Sequence, residues 1–207
     1  MRLSRNLTPT TDKTIRSAFR EDLTRIHGKG SNAIIIDELG ITHGTARVDV
    51  AVLDGSIHGY ELKSDSDTLN RLPEQMRLYN TVLDRITLVV GKTHLLAAIN
   101  MIPEWWGITL AKPSGSDGVI RFFSVRDADE NPEQDTTAMV SLLWRGEALR
   151  ILEENDCADG IRSKPRAELY HRLAELFDRE TLREKVRECL AAREGWRSGK
   201  PHTLSGD

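Results

Sequence analysis

Asp49, Glu61 and Lys63 interrupt two runs that otherwise have the make-up of β-strands, 46–53 (ARVDVAVL) and 57–63 (IHGYELK). Two carboxylates brought side by side repel each other unless a cation lies between them. Oxygen-only ligands with open positions suit a hard divalent ion, Mg2+ or Mn2+. A lysine beside such an ion can orient a water or neutralise developing charge, while the ion lowers that water's pKa. These are the parts of phosphodiester hydrolysis. The plainer reading is a surface hairpin with an ordinary Glu–Lys pair and a solvated Asp. A chain this charged is expected to contain on the order of one acidic-x-Lys match by chance. Apolar residues on both faces of the flanking runs speak for burial.

Whether the acids meet depends on the turn between the runs. If Leu53 and Ile57 close the hairpin around Asp54, Gly55 and Ser56, Asp49 lies opposite Glu61 and Arg47 opposite Lys63, on one face. A two-residue Asp-Gly turn shifts the pairing by one and sends the acids to opposite faces.

The surrounding elements follow from periodicity. Ile15, Phe19, Leu23 and Ile26 predict a helix over 12–27 with Asp12 as N-cap. Asp22 falls within that stripe, where it either needs a partner or metal or reaches solvent at the stripe's edge. Strands are expected at 33–38, 46–53 and 57–63, then a helix over 71–84 with Asn70 as N-cap and Pro73 in the first turn. "ITLVVG" (86–91) has the make-up of a buried strand, "THLLAAINMI" of a helix, "GITLA" and "VIRFFSV" of strands. Beyond a charged linker (127–135), helices are expected at 136–154, at 164–177 with Ser163 as N-cap, and at 179–193 with Asp178 as N-cap, before a loose tail, "GWRSGKPHTLSGD". The pattern predicts an α/β fold, a mixed β-sheet flanked by helices, in residues 1–127, and a C-terminal helical extension in 128–207.

Asp49, eleven intervening residues, then Glu61-Leu62-Lys63 resembles the signature of the PD-(D/E)XK nuclease superfamily, with valine in place of the common proline before Asp49. The order helix, three strands, helix, strand is similar to that superfamily's αβββαβ, restriction-endonuclease-like core. Gln75 and Tyr79 resemble the QxxxY motif of its RecB-like members, which share a Holliday-junction-resolvase-like core. "ELGITHGTARVDVAV", "GYELKSDSDTLNRLPEQ" and "PEWWGITL" resemble a bacterial family of small nuclease-like proteins within it. The resemblance implies a metal-dependent nuclease that hydrolyses DNA: Asp49, Glu61 and the Leu62 carbonyl would hold Mg2+ or Mn2+, and Lys63 would assist the attacking water. It also implies a further acid, Glu38 first and Asp22 second. Glu38 equally fits a strand-end residue paired with an arginine.

Other features carry two readings each. Gln75 and Tyr79 face either the site or the core. Arg47 and Arg71 are candidate phosphate contacts or plain ion-pair partners. Arg162, Lys164 and Arg166 cluster where a helix begins, as a DNA-contacting arm or a solvated face. Trp105 and Trp106 either stack on bases or pack inside. Six histidines without HxH or HExxH spacing give a zinc hydrolase no support, and Cys157 and Cys189 suggest neither a disulfide framework nor a zinc site.

The 207 residues, 39% of them hydrophobic, are enough to bury a core. A net charge of -3 argues against coating nucleic acid by bulk electrostatics. The first residues form no apolar segment, and no run nears the roughly 20 apolar residues of a membrane helix, so a cytoplasmic protein without a membrane partner is expected. The rival to the nuclease is a non-catalytic module that binds nucleic acid or a protein partner, or forms a homodimer, in a defence, repair or mobile-element system.

Overall fold

The computed structural model describes residues 9–28, 30–114 and 118–193; the tail from 194 onward, expected to be loose, lies outside them. Helix α1 (Asp12–Ile26) leads into an antiparallel meander, β1 (Ile34–Ile41), β2 (Ala46–Leu53) and β3 (Ile57–Lys63). Then come α2 (Leu72–Val82), β4 (Arg85–Gly91), a short 3-10 turn, α3 (Leu95–Met101), β5 (Gly107–Ser114) and β6 (Val119–Arg126). The strands form one six-stranded sheet in sequence order, with β3, β4 and β5 parallel and the outer pairs antiparallel. This is the expected α/β fold, a mixed sheet flanked by helices and followed by C-terminal helices α4 (Thr136–Val140), α5 (Arg145–Glu154), α6 (Arg166–Leu176) and α7 (Arg179–Ala192).

Each face of the sheet has its own apolar cluster. Ile15, Phe19 and Leu23 of α1 cover Val50, Val52, Leu62, Val89 and Ala111. On the other face α2 and the C-terminal helices share one cluster with the sheet, in which Tyr79, Ile86 and Leu88 join Met139, Leu169 and Leu190. Among the described residues, no helix is long and apolar enough to cross a membrane.

Several expected boundaries shift for local reasons. Thr11, not Asp12, caps α1, exchanging hydrogen bonds with Thr14 in a capping box. α2 starts at Leu72 without a side-chain cap from Asn70, because a turn in which the Leu72 N–H donates to the Leu69 carbonyl sets its direction. The helix expected over 136–154 is two. Ser141 Oγ bonds back to the Ala138 carbonyl at the end of α4, and Glu147 accepts the Trp144 N–H to open α5. Pro165 rather than Ser163 precedes α6.

The charged segment 127–135 is more than a linker. Asn131, 1% exposed, donates from Nδ2 to the carbonyls of Asn80 and Leu83, both at 2.7 Å. Beside it Asp84, 2% exposed, accepts from the Ile57 N–H (2.7 Å), Gln134 Nε2 (3.0 Å) and Arg183 Nε (2.7 Å). α7 is thereby tied to the start of β3 and β4 by a buried charge pair, whose rupture from one side leaves an uncompensated ion. Arg183→Met is expected to lower the unfolding free energy by about 3 kcal/mol in urea denaturation; a loss below about 0.5 kcal/mol would show that this tie contributes nothing.

Candidate functional site: a charged cleft at a strand fork

The three-residue turn is the one present. β2 and β3 pair from Leu53↔Ile57 to Val50↔Tyr60, with Gly55 at φ 67°, a left-handed backbone that favours glycine. That register aligns Asp49 with Glu61, but past Val50 the Asp49 side chain enters the ladder: the Leu62 N–H donates to Asp49 Oδ2 at 2.8 Å. The strands part here into a fork. A cleft of about 580 Å³ opens at it, lined by Asp49, Glu61, Lys63, Glu38, Gln75 and Tyr79 among others.

The two acids are held from opposite layers. From α1, Arg16 donates through Nη2 to Asp49 Oδ1 (2.7 Å) and through Nη1 to Glu38 Oε1 (2.9 Å) and the Asp49 carbonyl (3.3 Å). Asp12, one turn earlier, accepts from Nη2 at 3.3 Å. Burial opposes the charge on Arg16, yet Asp49 and Asp12 hold its pKa above the ordinary guanidinium value. From α2, Tyr79 Oη donates to Glu61 Oε2 (2.8 Å) and Gln75 Nε2 to Glu61 Oε1 (2.6 Å), while Lys63 Nζ lies 2.6 Å from the same Oε1. Glu61 is 1% exposed and Lys63 5%. Burial pushes the Glu61 pKa up and the charge of Asp49 adds to it; Lys63 and Tyr79 pull the other way.

Glu38 reaches Arg16 through an unusual backbone. It lies inside β1 rather than at the end of a strand, with φ 54°. Ile34 and Ile36 join the larger cluster and so do Leu39 and Ile41, so the in-out alternation changes phase at Glu38. A left-handed non-glycine residue in a strand is strained. Burial raises the Glu38 pKa and Arg16 counteracts the rise.

Not every candidate joins the cleft. Asp22 pairs with Arg25 on α1 and lies outside the lining, as do Arg162, Lys164 and Arg166. Arg162 pairs with Glu153 (3.1 Å) and Asp159 (3.0 Å), Lys164 with Glu168 (3.6 Å). Arg47 and Arg71 do line it, exposed, and among the described residues neither guanidinium has a hydrogen-bond or ion-pair partner. Trp106 is fully buried, donates from Nε1 to Asn80 Oδ1 (2.9 Å) and stacks on Tyr79. Sequence reasoning missed Arg16; its signal was an arginine one turn from Asp12, beside the apolar stripe that had located α1.

The fit of a divalent ion can be judged from the donors. Both Asp49 oxygens and both Glu61 oxygens already accept hydrogen bonds within the chain, and a cationic side chain touches each group. Among the described residues no three His, Cys, Asp or Glu side chains converge as a metal-ligand set. Each of the two acids therefore has a cationic side chain of the chain itself as its neighbour, Arg16 at Asp49 and Lys63 at Glu61.

This is an α/β protein with a strand fork whose acids are neutralised by its own cations. The chain belongs to the Bacteriophage P4 protein cII family, whose model matches residues 7–199. Protein cII of Enterobacteria phage P4 is 36% identical over 97 residues, a segment covering 47% of this chain and 33% of that protein. The match thus spans about a third of the relative's length. No solved structure matches.

Family membership corrects the earlier reading. The cII family model spans residues 7–199 and phage P4 protein cII itself matches 47% of the chain, so the family is this one and not the PD-(D/E)XK nucleases, and the nuclease, hydrolase and enzyme expectations fall with that resemblance. The acidic spacing and element order that suggested it are sparse constraints, and a fold alone does not carry an activity.

Lys63 is the counter-charge of a buried acid. An acid with a folded pKa above its unfolded value holds an extra proton in the native state, so stability falls as pH rises through that window. Lys63→Met removes the opposing charge and is expected to steepen the loss of stability as pH rises above the ordinary glutamate value, with Glu61→Gln in the same chain abolishing the added slope. Parallel stability–pH curves for Lys63→Met and the unaltered chain would contradict this role.

Proposed function

We propose that the chain works by binding rather than by catalysis, as a module of a phage-type mobile element that engages DNA through the fork cleft in the cytoplasm. The observation that carries this reading is the division of charge in the cleft. Its carboxylates are committed: Asp12, Glu38 and Asp49 to Arg16, Glu61 to Lys63, Asp67 to Ser64 and Glu74 to Arg77. The lining cations without a hydrogen-bond or ion-pair partner among the described residues are Arg47 and Arg71, two planar forks suited to phosphate oxygens. Arg166 carries the same sign near the turn between β1 and β2, acting electrostatically on His43, which stacks on Tyr170 of α6. A local contact of this kind needs no basic chain as a whole.

A protein-partner form of the same reading is favoured by one observation. Leu96 of α3 and Phe123 and Val125 of β6 are 76%, 41% and 47% exposed, large apolar side chains at the surface.

Binding to labelled duplex and single-stranded DNA is expected to persist in EDTA and to weaken with salt. Arg47→Ala with Arg71→Ala should cost about tenfold and reduce the slope of log K against log salt by up to about two. Unchanged affinity and slope in the double variant, or no binding to either form, would overturn the proposal.

A further inference from the structure

We infer that Arg16 is a tethered cation that closes the fork to divalent ions, its guanidinium standing where an ion would meet Asp49 and Glu38. The inference deepens the non-catalytic reading and rests on it; its test contains no nucleic acid, so the two can fail separately.

The geometry is that of one planar group serving several anions. A single guanidinium reaches Asp49 Oδ1, Glu38 Oε1, Asp12 Oδ1 and the Asp49 carbonyl, at 2.7, 2.9, 3.3 and 3.3 Å. These are the oxygens nearest the fork on the α1 side, and they come from three separate elements. Guanidinium suits this role because it is planar, permanently charged and rich in donors. Mg2+ requires a near-octahedral oxygen shell at about 2.0–2.1 Å and gives up its waters reluctantly. An ion bound to Asp49 Oδ1 would sit against Arg16, where like charges disfavour each other. On the other side of the fork, Lys63 takes the same place at Glu61, with Gln75 bonded to the same oxygen and Tyr79 to the other.

The anchorage of Arg16 explains why it stays. α1 is fixed to the sheet by Ile15, Phe19 and Leu23, and Ile15 adjoins Arg16 in sequence. The arginine is thus presented to the fork by a packed helix rather than by a mobile loop, and the ordering cost is met when α1 docks. An intramolecular ligand of this kind outcompetes a dilute ion by its effective concentration.

Removing the guanidinium should therefore create an ion site where the unaltered chain has none. Mn2+ titration of the full chain, followed by the paramagnetic signal of free Mn2+, is expected to show no Asp49-dependent binding in wild type. Arg16→Met is expected to bind Mn2+ at least about tenfold more tightly than wild type. Asp49→Asn in that background should remove the gain, and added methylguanidinium should compete with the ion. Mn2+ binding by wild type that Asp49→Asn abolishes would overturn the inference, as would a folded Arg16→Met chain that gains none. If Arg16→Met fails to fold, the wild-type and Asp49→Asn titrations decide by themselves.

Discussion

Two carboxylates at the point where β2 and β3 separate must be neutralised, and this need organises the structure around them. Asp49 is served from the α1 layer and Glu61 from the α2 layer, so at the fork both faces of the sheet contribute polar groups to a shared cleft. A buried acid left unpaired is costly, which makes Arg16 and Lys63 as much part of the fold as the apolar clusters they adjoin. The strained backbone of Glu38 belongs to the same arrangement, because it carries a third carboxylate to the guanidinium.

The remainder of the molecule holds this fork rigid. α1 and α2 are each packed on an apolar cluster of their own, and Tyr79 links the two roles: its ring lies in the core against Trp106 while its hydroxyl lies within hydrogen-bond distance of both Glu61 and the Arg47 carbonyl. Farther away, Asp84, Asn131 and Arg183 fasten the C-terminal helices beneath β3 and β4. Polar groups with all their partners in place fix a particular geometry more strictly than apolar packing does, and both junctions use them.

Much of this was legible in the sequence. Period-two and period-3.6 patterns gave the sheet, the helices around it and their order, but left two turns open between β2 and β3, and only the structure selects the three-residue one that aligns residues 49 and 61. What was not legible came from contacts distant in sequence or from backbone conformation. Arg16 meets Asp49 across 33 positions, and no local periodicity signals that pairing. The left-handed Glu38 changes the phase of β1 in a residue type that gives no warning. Asn131 and Gln134 read as linker residues because their partners, the carbonyls at the end of α2, are exposed only once that helix has ended. The nuclease expectation falls with the family match, and the side chains beside the two acids are Arg16 and Lys63.

The central claim, that the fork acids are held by the chain's own cations, is tested most directly by a double-mutant cycle between Arg16 and Asp49. Unfolding free energies of wild type, Arg16→Ala, Asp49→Ala and the double variant give the coupling between the two side chains. The account predicts a favourable coupling of about 1–2 kcal/mol, in keeping with a partly buried, hydrogen-bonded pair. Additivity within about 0.3 kcal/mol would contradict it.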